Sequence, residues 1–304
     1  MRAILFPGQG SQYVGMGSDF YEKYDLVKKI FETVDKTLGF SLSSIILNGS
    51  EEELKLTQNT QPAIMTIGVS IFSILQKKFD FVIKDSKFFA GHSLGEYTAL
   101  VCAGSLTLEK AAYLLHERGK AMQEAVPSGQ GAMIAVLGLS IEEVEKEINL
   151  LSTDEICEIA NDNSNSQVVV SGSKNIIETL NQNLKKKKKR GIILPVSAPF
   201  HSSLMKKASQ NMKNKITSTN FLPPTPCVIS NVTAKEENNT DNIKSLLVDQ
   251  ITSRVRWRES VNYMIKNGVK NFVEIGPGKV LSGLVKKIDK EAKIININEL
   301  KDLE

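Results

Sequence analysis

Ser93 stands at the centre of Gly91-His92-Ser93-Leu94-Gly95, a Gly-x-Ser-x-Gly pentapeptide between the apolar Phe88-Phe89-Ala90 and a helical pattern through Tyr97, Leu100 and Val101. Strand, sharp turn and helix in that order lift a serine hydroxyl clear of a fold, where it can attack a carbonyl. Glycine suits positions 91 and 95 because the turn brings strand and helix backbones together where a Cβ would clash. The helix start adds N–H groups and a partial positive charge suited to an oxyanion. The same residues allow a second reading. Ser93-Leu94-Gly95-Glu96 fits the S-x-x-E capping box, in which the serine only closes the helix start.

A serine nucleophile needs a base, most often histidine, and the chain has 3 histidines. His92 adjoins the serine and projects differently, and His116 lies in a helical pattern beside Glu117. His201 opens a new segment at Pro199-Phe200-His201-Ser202, where turn chemistry concentrates function, so it is the candidate base; a structural histidine is the alternative. Arg118 shares a helical face with Ala111, Leu114, Leu115 and Met122, and no acid sits at i±4 on that face. A buried charge is costly unless paired. Arg118 therefore either snorkels from the stripe edge or is held dry to grip a ligand carboxylate with its two-pronged guanidinium. The run 2–6 breaks at Pro7-Gly8-Gln9-Gly10-Ser11-Gln12. A dinucleotide fingerprint would need glycine at 13, where Tyr13 stands. This loop is read as a strand exit, either an ordinary turn or one that brings backbone and the Gln9 amide to a substrate. Gln61, in the polar segment 57–61 ahead of a helix beginning at Pro62, is a substrate-contacting amide or a plain cap-region residue.

These residues need elements to hold them. With 304 residues and 41% hydrophobic content, the chain can bury the cores of about two domains. A net charge of +4 does not by itself suggest nucleic acid. No stretch approaches the ~18–20 apolar residues of a membrane span, and the opening run is too short for a signal-peptide core. A cytoplasmic protein, or a mature organellar one, is expected. Cys102, Cys157 and Cys227 lack C-x-x-C or zinc spacing and read as buried free thiols. Helical periodicity covers 19–38, 62–76 and 108–124. From Gly131 the pattern becomes strand 133–137, helix 141–150, strand 155–160, strand 167–171, helix 176–184 and strand 192–196. That β-α-β-β-α-β order predicts a ferredoxin-like small domain at 129–197, inserted into a larger unit of 1–128 and 198–304. Its polar loop 161–166 would face the cleft. The cationic run 185–190 reads as a solvated helix end and turn, with a docking patch for an acidic partner as the alternative. Strand 226–231, helices 246–254 and 257–266, strand 272–275 and a C-terminal helix after Gly276-Pro277-Gly278 complete the chain.

Six strings, in order, now coincide: Phe6-Pro7-Gly8-Gln9-Gly10-Ser11-Gln12, Gln61-Pro62-Ala63, Gly91-His92-Ser93-Leu94-Gly95-Glu96, Glu117-Arg118-Gly119, Pro199-Phe200-His201-Ser202 and Glu274-Ile275-Gly276-Pro277-Gly278. Together they resemble the malonyl-CoA:acyl carrier protein transacylase family over nearly the whole chain. The resemblance implies an α/β fold, an α/β-hydrolase-like core with a ferredoxin-like insert. It also implies ping-pong transfer of a malonyl group from malonyl-CoA through an acyl-serine to the phosphopantetheine thiol of acyl carrier protein, supplying fatty acid synthesis. On it, Ser93 is the nucleophile and His201 the base, oriented through a backbone carbonyl in the region of Gln250. Gln9 and the Leu94 N–H form the oxyanion hole, Arg118 binds the malonyl carboxylate, and Gln61 and Asn163 contact the malonyl group or its pocket. Phe200 matches the malonyl-selecting pattern rather than the methylmalonyl one. No metal or redox cofactor, no nucleic acid and no membrane are implied, and a monomer is expected. The chain departs from the family at Asn165-Ser166, where relatives often have Pro-Gly, and at Ser253-Arg254, in place of Asn-Pro. A serine hydrolase or thioesterase on the same elbow, and a non-catalytic carrier-protein-binding subunit, are the alternatives.

Overall fold

Short runs that are apolar over most of their length, Arg2–Phe6 and Asn271–Ile275 among them, are buried on both faces, as strands of a covered parallel sheet must be. In the computed structural model they join a six-stranded sheet built from β1 (Arg2–Phe6), β2 (Ser86–Gly91), β7 (Cys227–Ile229), β8 (Glu236–Glu237), β9 (Asn271–Ile275) and β10 (Lys293–Ile297). The strand order is β10-β9-β1-β2-β7-β8, parallel except for the β7–β8 pair. The structure describes residues 1–304 apart from 79–85, 128, 152–153, 197 and 304, so the expected domain junctions at 128 and 197 lie outside the described residues. Phe6, Phe72 and Phe89 meet edge-on on one face of the sheet, with centroids 5.5 to 6.1 Å apart; Trp257, Val261 and Met264 cover the other. The exits of β1, β2 and β7 carry Gln9, Ser93 and Asn231, so the carboxyl ends of parallel strands converge on one crevice.

A second sheet of β3 (Gly131–Leu137), β4 (Cys157–Ser164), β5 (Gln167–Ser173) and β6 (Arg190–Ile193) is antiparallel, in the order β4-β5-β3-β6. Helices Ile141–Asn149 and Lys174–Lys186 join its first to second and third to fourth strands, the split βαβ arrangement expected of a ferredoxin-like unit. The α/β architecture read from the sequence is therefore the one the chain adopts. The two sheets are tied where β4 meets the segment after Gln250: the Asp162 N–H donates to Val255 O at 2.9 Å and the Val255 N–H to Ala160 O at 2.8 Å. Arg258 Nε adds both carboxylate oxygens of the fully buried Asp162, at 2.9 and 3.1 Å.

Local structure departs from expectation in instructive places. The helix predicted over 19–38 breaks at Tyr24, whose extended backbone separates Ser18–Lys23 from Asp25–Leu38. The polar segment 57–61 is not a loop: it is the buried first turn of helix Thr57–Lys78. Pro62 removes the N–H that would bond the Gln58 carbonyl, and His116 Nδ1 donates to that carbonyl instead, at 3.0 Å. The predicted helix 246–254 is Thr240–Asp249, because the Asn239 side chain accepts from the N–H groups of Asp241 and Asn242 and sets the start early. The expected loop 161–166 shrinks to the turn at Asn165-Ser166, since Asn161, Asp162, Asn163 and Ser164 extend β4 and are buried. Helices Leu42–Asn48 and Glu51–Lys55 and the strand β10 were not foreseen. The three cysteines are free but only partly buried, short of the burial expected. The run 185–190 is exposed and spans the end of helix Lys174–Lys186, a turn and the first residue of β6. Among the described residues no helix is long and apolar enough to cross a membrane.

Candidate active site

The elbow forms as its glycines require. A Cβ on Gly91 would lie 1.9 Å from the Gly95 backbone, and one on Gly95 would lie 2.3 Å from the Phe6 carbonyl oxygen. Ser93 between them has φ 54°, a left-handed conformation that a non-glycine residue holds only when its surroundings fix it. Its N–H donates to Asn231 Oδ1 at 2.7 Å, and Asn231 Nδ2 returns a bond to Gly91 O at 2.7 Å. The capping-box reading fails: helix Gly95–Cys102 has no side-chain cap, and the serine hydroxyl is engaged elsewhere.

That hydroxyl lies 2.8 Å from His201 Nε2. His201, itself at φ 57°, directs Nδ1 to the backbone oxygen of Gln250 at 2.9 Å. The carbonyl is available because the helix before it ends at Asp249, which leaves Gln250 without an onward N–H partner. Since Nδ1 must be the donor to a carbonyl, Nε2 is the acceptor and takes the proton of Ser93 Oγ. Burial pushes the imidazole down to about 3, and the Arg118 charge adds to the effect, so His201 is neutral and ready to act as a base.

Arg118, fully buried, donates through its two terminal nitrogens to Gln61 Oε1 at 2.7 Å, Gln250 Oε1 at 3.0 Å and Ser93 Oγ at 3.2 Å. Every one of those acceptors is neutral, and among the described residues Nε has no hydrogen-bond partner. Gln61 reaches the arginine because Gly119 lets helix Leu108–Glu124 close onto the first turn of Thr57–Lys78; a Cβ there would sit 2.5 Å from Gln58 Cα. Burial lowers the guanidinium's proton affinity, while Tyr97 and Glu96 oppose that.

A cavity of about 240 Å³ opens over Ser93 and is walled by Gln9, Leu94, Gln61, Arg118, Phe200 and His201. Among the described residues the backbone N–H groups of Gln9 and Leu94 have no hydrogen-bond partner, and both residues face this space. Asn163 is placed differently from the expected pocket contact. Its Oδ1 accepts from His92 Nε2 at 2.9 Å, and it is Asn161 that lines the wall. Two site residues escaped the sequence reading, Asn231 and Glu96. Glu96 Oε2 accepts from the Asn231 N–H at 3.0 Å and Gln250 Nε2 at 2.7 Å; burial pushes its carboxyl up to about 7, against those donors and Arg118. The available signal was a carboxylate in a short, mostly apolar helix, among Tyr97, Ala99 and Leu100, where no other charged residue stands.

Comparison with known proteins places the whole chain in one family. Residues 4–300 match the acyl transferase domain family. A malonyl CoA-acyl carrier protein transacylase of Bacillus subtilis is 43% identical over 305 residues, covering 99% of this chain and 95% of that protein. The crystal structure of an acyl-carrier-protein-S-malonyltransferase from Bartonella henselae superposes with a TM-score of 0.96 at 42% identity, covering 99% of this chain and 96% of that one. A holo type II PKS acyl-carrier protein in complex with its malonyl-transacylase contains a chain that matches with a TM-score of 0.95 at 38% identity, over 99% of this chain and 97% of that one.

Proposed function

The chain belongs to the acyl transferase domain family, among malonyl CoA-acyl carrier protein transacylases, and from that premise we propose how its residues divide the work of moving a malonyl group from malonyl-CoA to acyl carrier protein. Ser93 Oγ attacks the thioester carbonyl as His201 Nε2 takes its proton. The oxyanion that forms is met by the N–H groups of Leu94 and Gln9, each donor worth on the order of 3 kcal/mol in related chemistry. Collapse breaks the carbon–sulfur bond, and the imidazolium returns its proton to the departing CoA thiolate. The phosphopantetheine thiol of the carrier protein then gives its proton to His201 and attacks the acyl-serine; collapse breaks the bond to Ser93 Oγ, the imidazolium returns the proton to that oxygen, and the thiol leaves with the malonyl group, completing a ping-pong cycle. Every proton and electron pair in this sequence is carried by the dyad and the two thiols, so the scheme calls for no metal or redox cofactor.

The observation that carries this reading is Arg118: a buried cation whose Nη2 lies 3.2 Å from the nucleophile's oxygen, whose hydrogen-bond partners are neutral and whose Nε has none among the described residues. Such a group is completed by an anionic acyl chain, for which a hydrolase of uncharged esters has no use. Residues 129–197, as an inserted unit, supply the facing wall through Met133, Asn161 and Leu194. Intact-mass analysis after mixing with malonyl-, methylmalonyl- and acetyl-CoA tests the scheme. A malonyl adduct is expected on the wild type and none on Ser93→Ala. Arg118→Ala is expected to slow malonylation on the order of 10²-fold while retaining acetylation. No adduct on the wild type refutes acyl-enzyme transfer, and an unchanged malonyl preference in Arg118→Ala refutes the carboxylate role.

A further inference from the structure

Gln250 serves the site twice, with its backbone oxygen on His201 and its side-chain oxygen on Arg118. The second contact depends on which way the amide faces. Oxygen and nitrogen of a glutamine amide are nearly the same size, and a half-turn exchanges them. Turned the wrong way, Nε2 would point N–H groups at Arg118, which has only donors, and the guanidinium would lose its neighbour. The acceptors on the other side of the amide settle the choice: Ser93 O at 3.2 Å, Asn231 Oδ1 at 3.5 Å and Glu96 Oε2 at 2.7 Å. The Glu96 contact is the shortest of the three and the one to an ionisable carboxyl, which in its ionised form offers acceptors only and makes the stronger hydrogen bond. Glu96 is itself held in place, buried in helix Gly95–Cys102 and accepting the Asn231 N–H at 3.0 Å.

We propose that Glu96 is a positioning residue for acyl selection: its carboxylate locks the Gln250 amide so that Oε1 faces Arg118, aiming the guanidinium at the far end of the acyl group. This rests on the malonyl-transfer reading above. Glu96 touches neither Ser93 Oγ nor the cavity wall, so it acts through Gln250 and Arg118. It also steadies the residue that holds the elbow, through Asn231. A loss confined to elbow support would slow every acyl donor alike; loss of the amide lock falls on the anionic donor.

The test is acylation kinetics with malonyl-CoA and acetyl-CoA on the full chain. Glu96→Gln keeps the shape and replaces one acceptor face with a donor. Its kcat/KM for malonyl-CoA is expected to drop by roughly tenfold to 100-fold, and that for acetyl-CoA by less than about threefold. In an Arg118→Ala background the same substitution should change malonylation by less than about threefold, since the group it aims is gone. If Glu96→Gln does not fold, Glu96→Asp, with a retracted carboxylate that still accepts, is measured the same way and should lose malonyl preference to a smaller degree. Parallel loss for both donors in whichever variant folds, or a full additional loss without Arg118, overturns the proposal. A wild type that forms no malonyl adduct would instead overturn the transfer reading on which it stands.

Discussion

His201 and Arg118 show how burial sets charge in this site. The imidazole is pushed down to about 3 by loss of water and by the neighbouring guanidinium, so the base is unprotonated wherever the enzyme is folded near neutrality. The same shift makes a stability statement. Below its ordinary value of about 6.5, an unfolded histidine takes up a proton that folded His201 refuses, so acidification favours the unfolded chain. Between pH 6.5 and pH 4, the wild type should lose stability relative to His201→Ala by up to about 1.4 kcal/mol per pH unit. Glu96 works in the opposite direction, because its carboxyl, raised to about 7, binds a proton in the folded state first and gains stability as pH falls toward its ordinary range. Both proteins keep Glu96, so their difference isolates the histidine. Denaturant titrations across that range check it, and parallel pH slopes would contradict the assigned shift.

The elements matter through their ends and their closest approaches. Helix Thr240–Asp249 stops one residue before Gln250, which frees the carbonyl that orients the base. Helix Thr57–Lys78 starts ahead of Pro62, so Gln61 belongs to a buried turn facing Arg118. The contact of that turn with helix Leu108–Glu124 is made by Gly119, whose missing Cβ leaves room for Gln58 Cα and Thr57 O. Gly119→Ala should force the two helices apart at a cost of about 1–3 kcal/mol and draw Gln61 away from the guanidinium. A lower melting temperature together with a reduced preference for malonyl-CoA over acetyl-CoA is expected. A variant that melts lower with an unchanged preference would separate the packing from the selection.

Across the whole molecule, the cavity lies where two sheets meet, and its shape depends on their staying joined. The Arg258 Nε–H, shared between the two Asp162 oxygens, and the backbone bonds through Val255 fasten β4 beside the segment that follows Gln250. Asp162 is fully buried, so removing its partner strands a carboxylate away from water. Arg258→Ala should therefore lower the unfolding free energy by about 3 kcal/mol. Lys28→Ala, which breaks an ion pair to a largely exposed Asp25, should change it by less than about 0.5 kcal/mol. Denaturant unfolding of the two variants decides this, and equal small effects would mean that the clamp contributes little.

Local rules were enough to reveal the elbow, the β-α-β-β-α-β insert and an arginine out of place on an apolar stripe, because tight turns, strand alternation and helical spacing are written in neighbouring residues. The same rules misread 57–61 and 161–166 as loops. Polar residues there fold into a buried turn and a strand because partners far along the chain satisfy them: Arg118 for Gln61, Arg258 for Asp162 and His92 for Asn163. The partner of the base is likewise a backbone oxygen 49 residues from His201, and carries no residue-type signature. Glu96 and Asn231 join the site from 135 residues apart. Residue types and spacing specified which chemistry the chain could perform; the geometry that makes Ser93, His201 and Arg118 one site arises from packing, because hydrogen bonds between distant segments exist only once the sheets have formed.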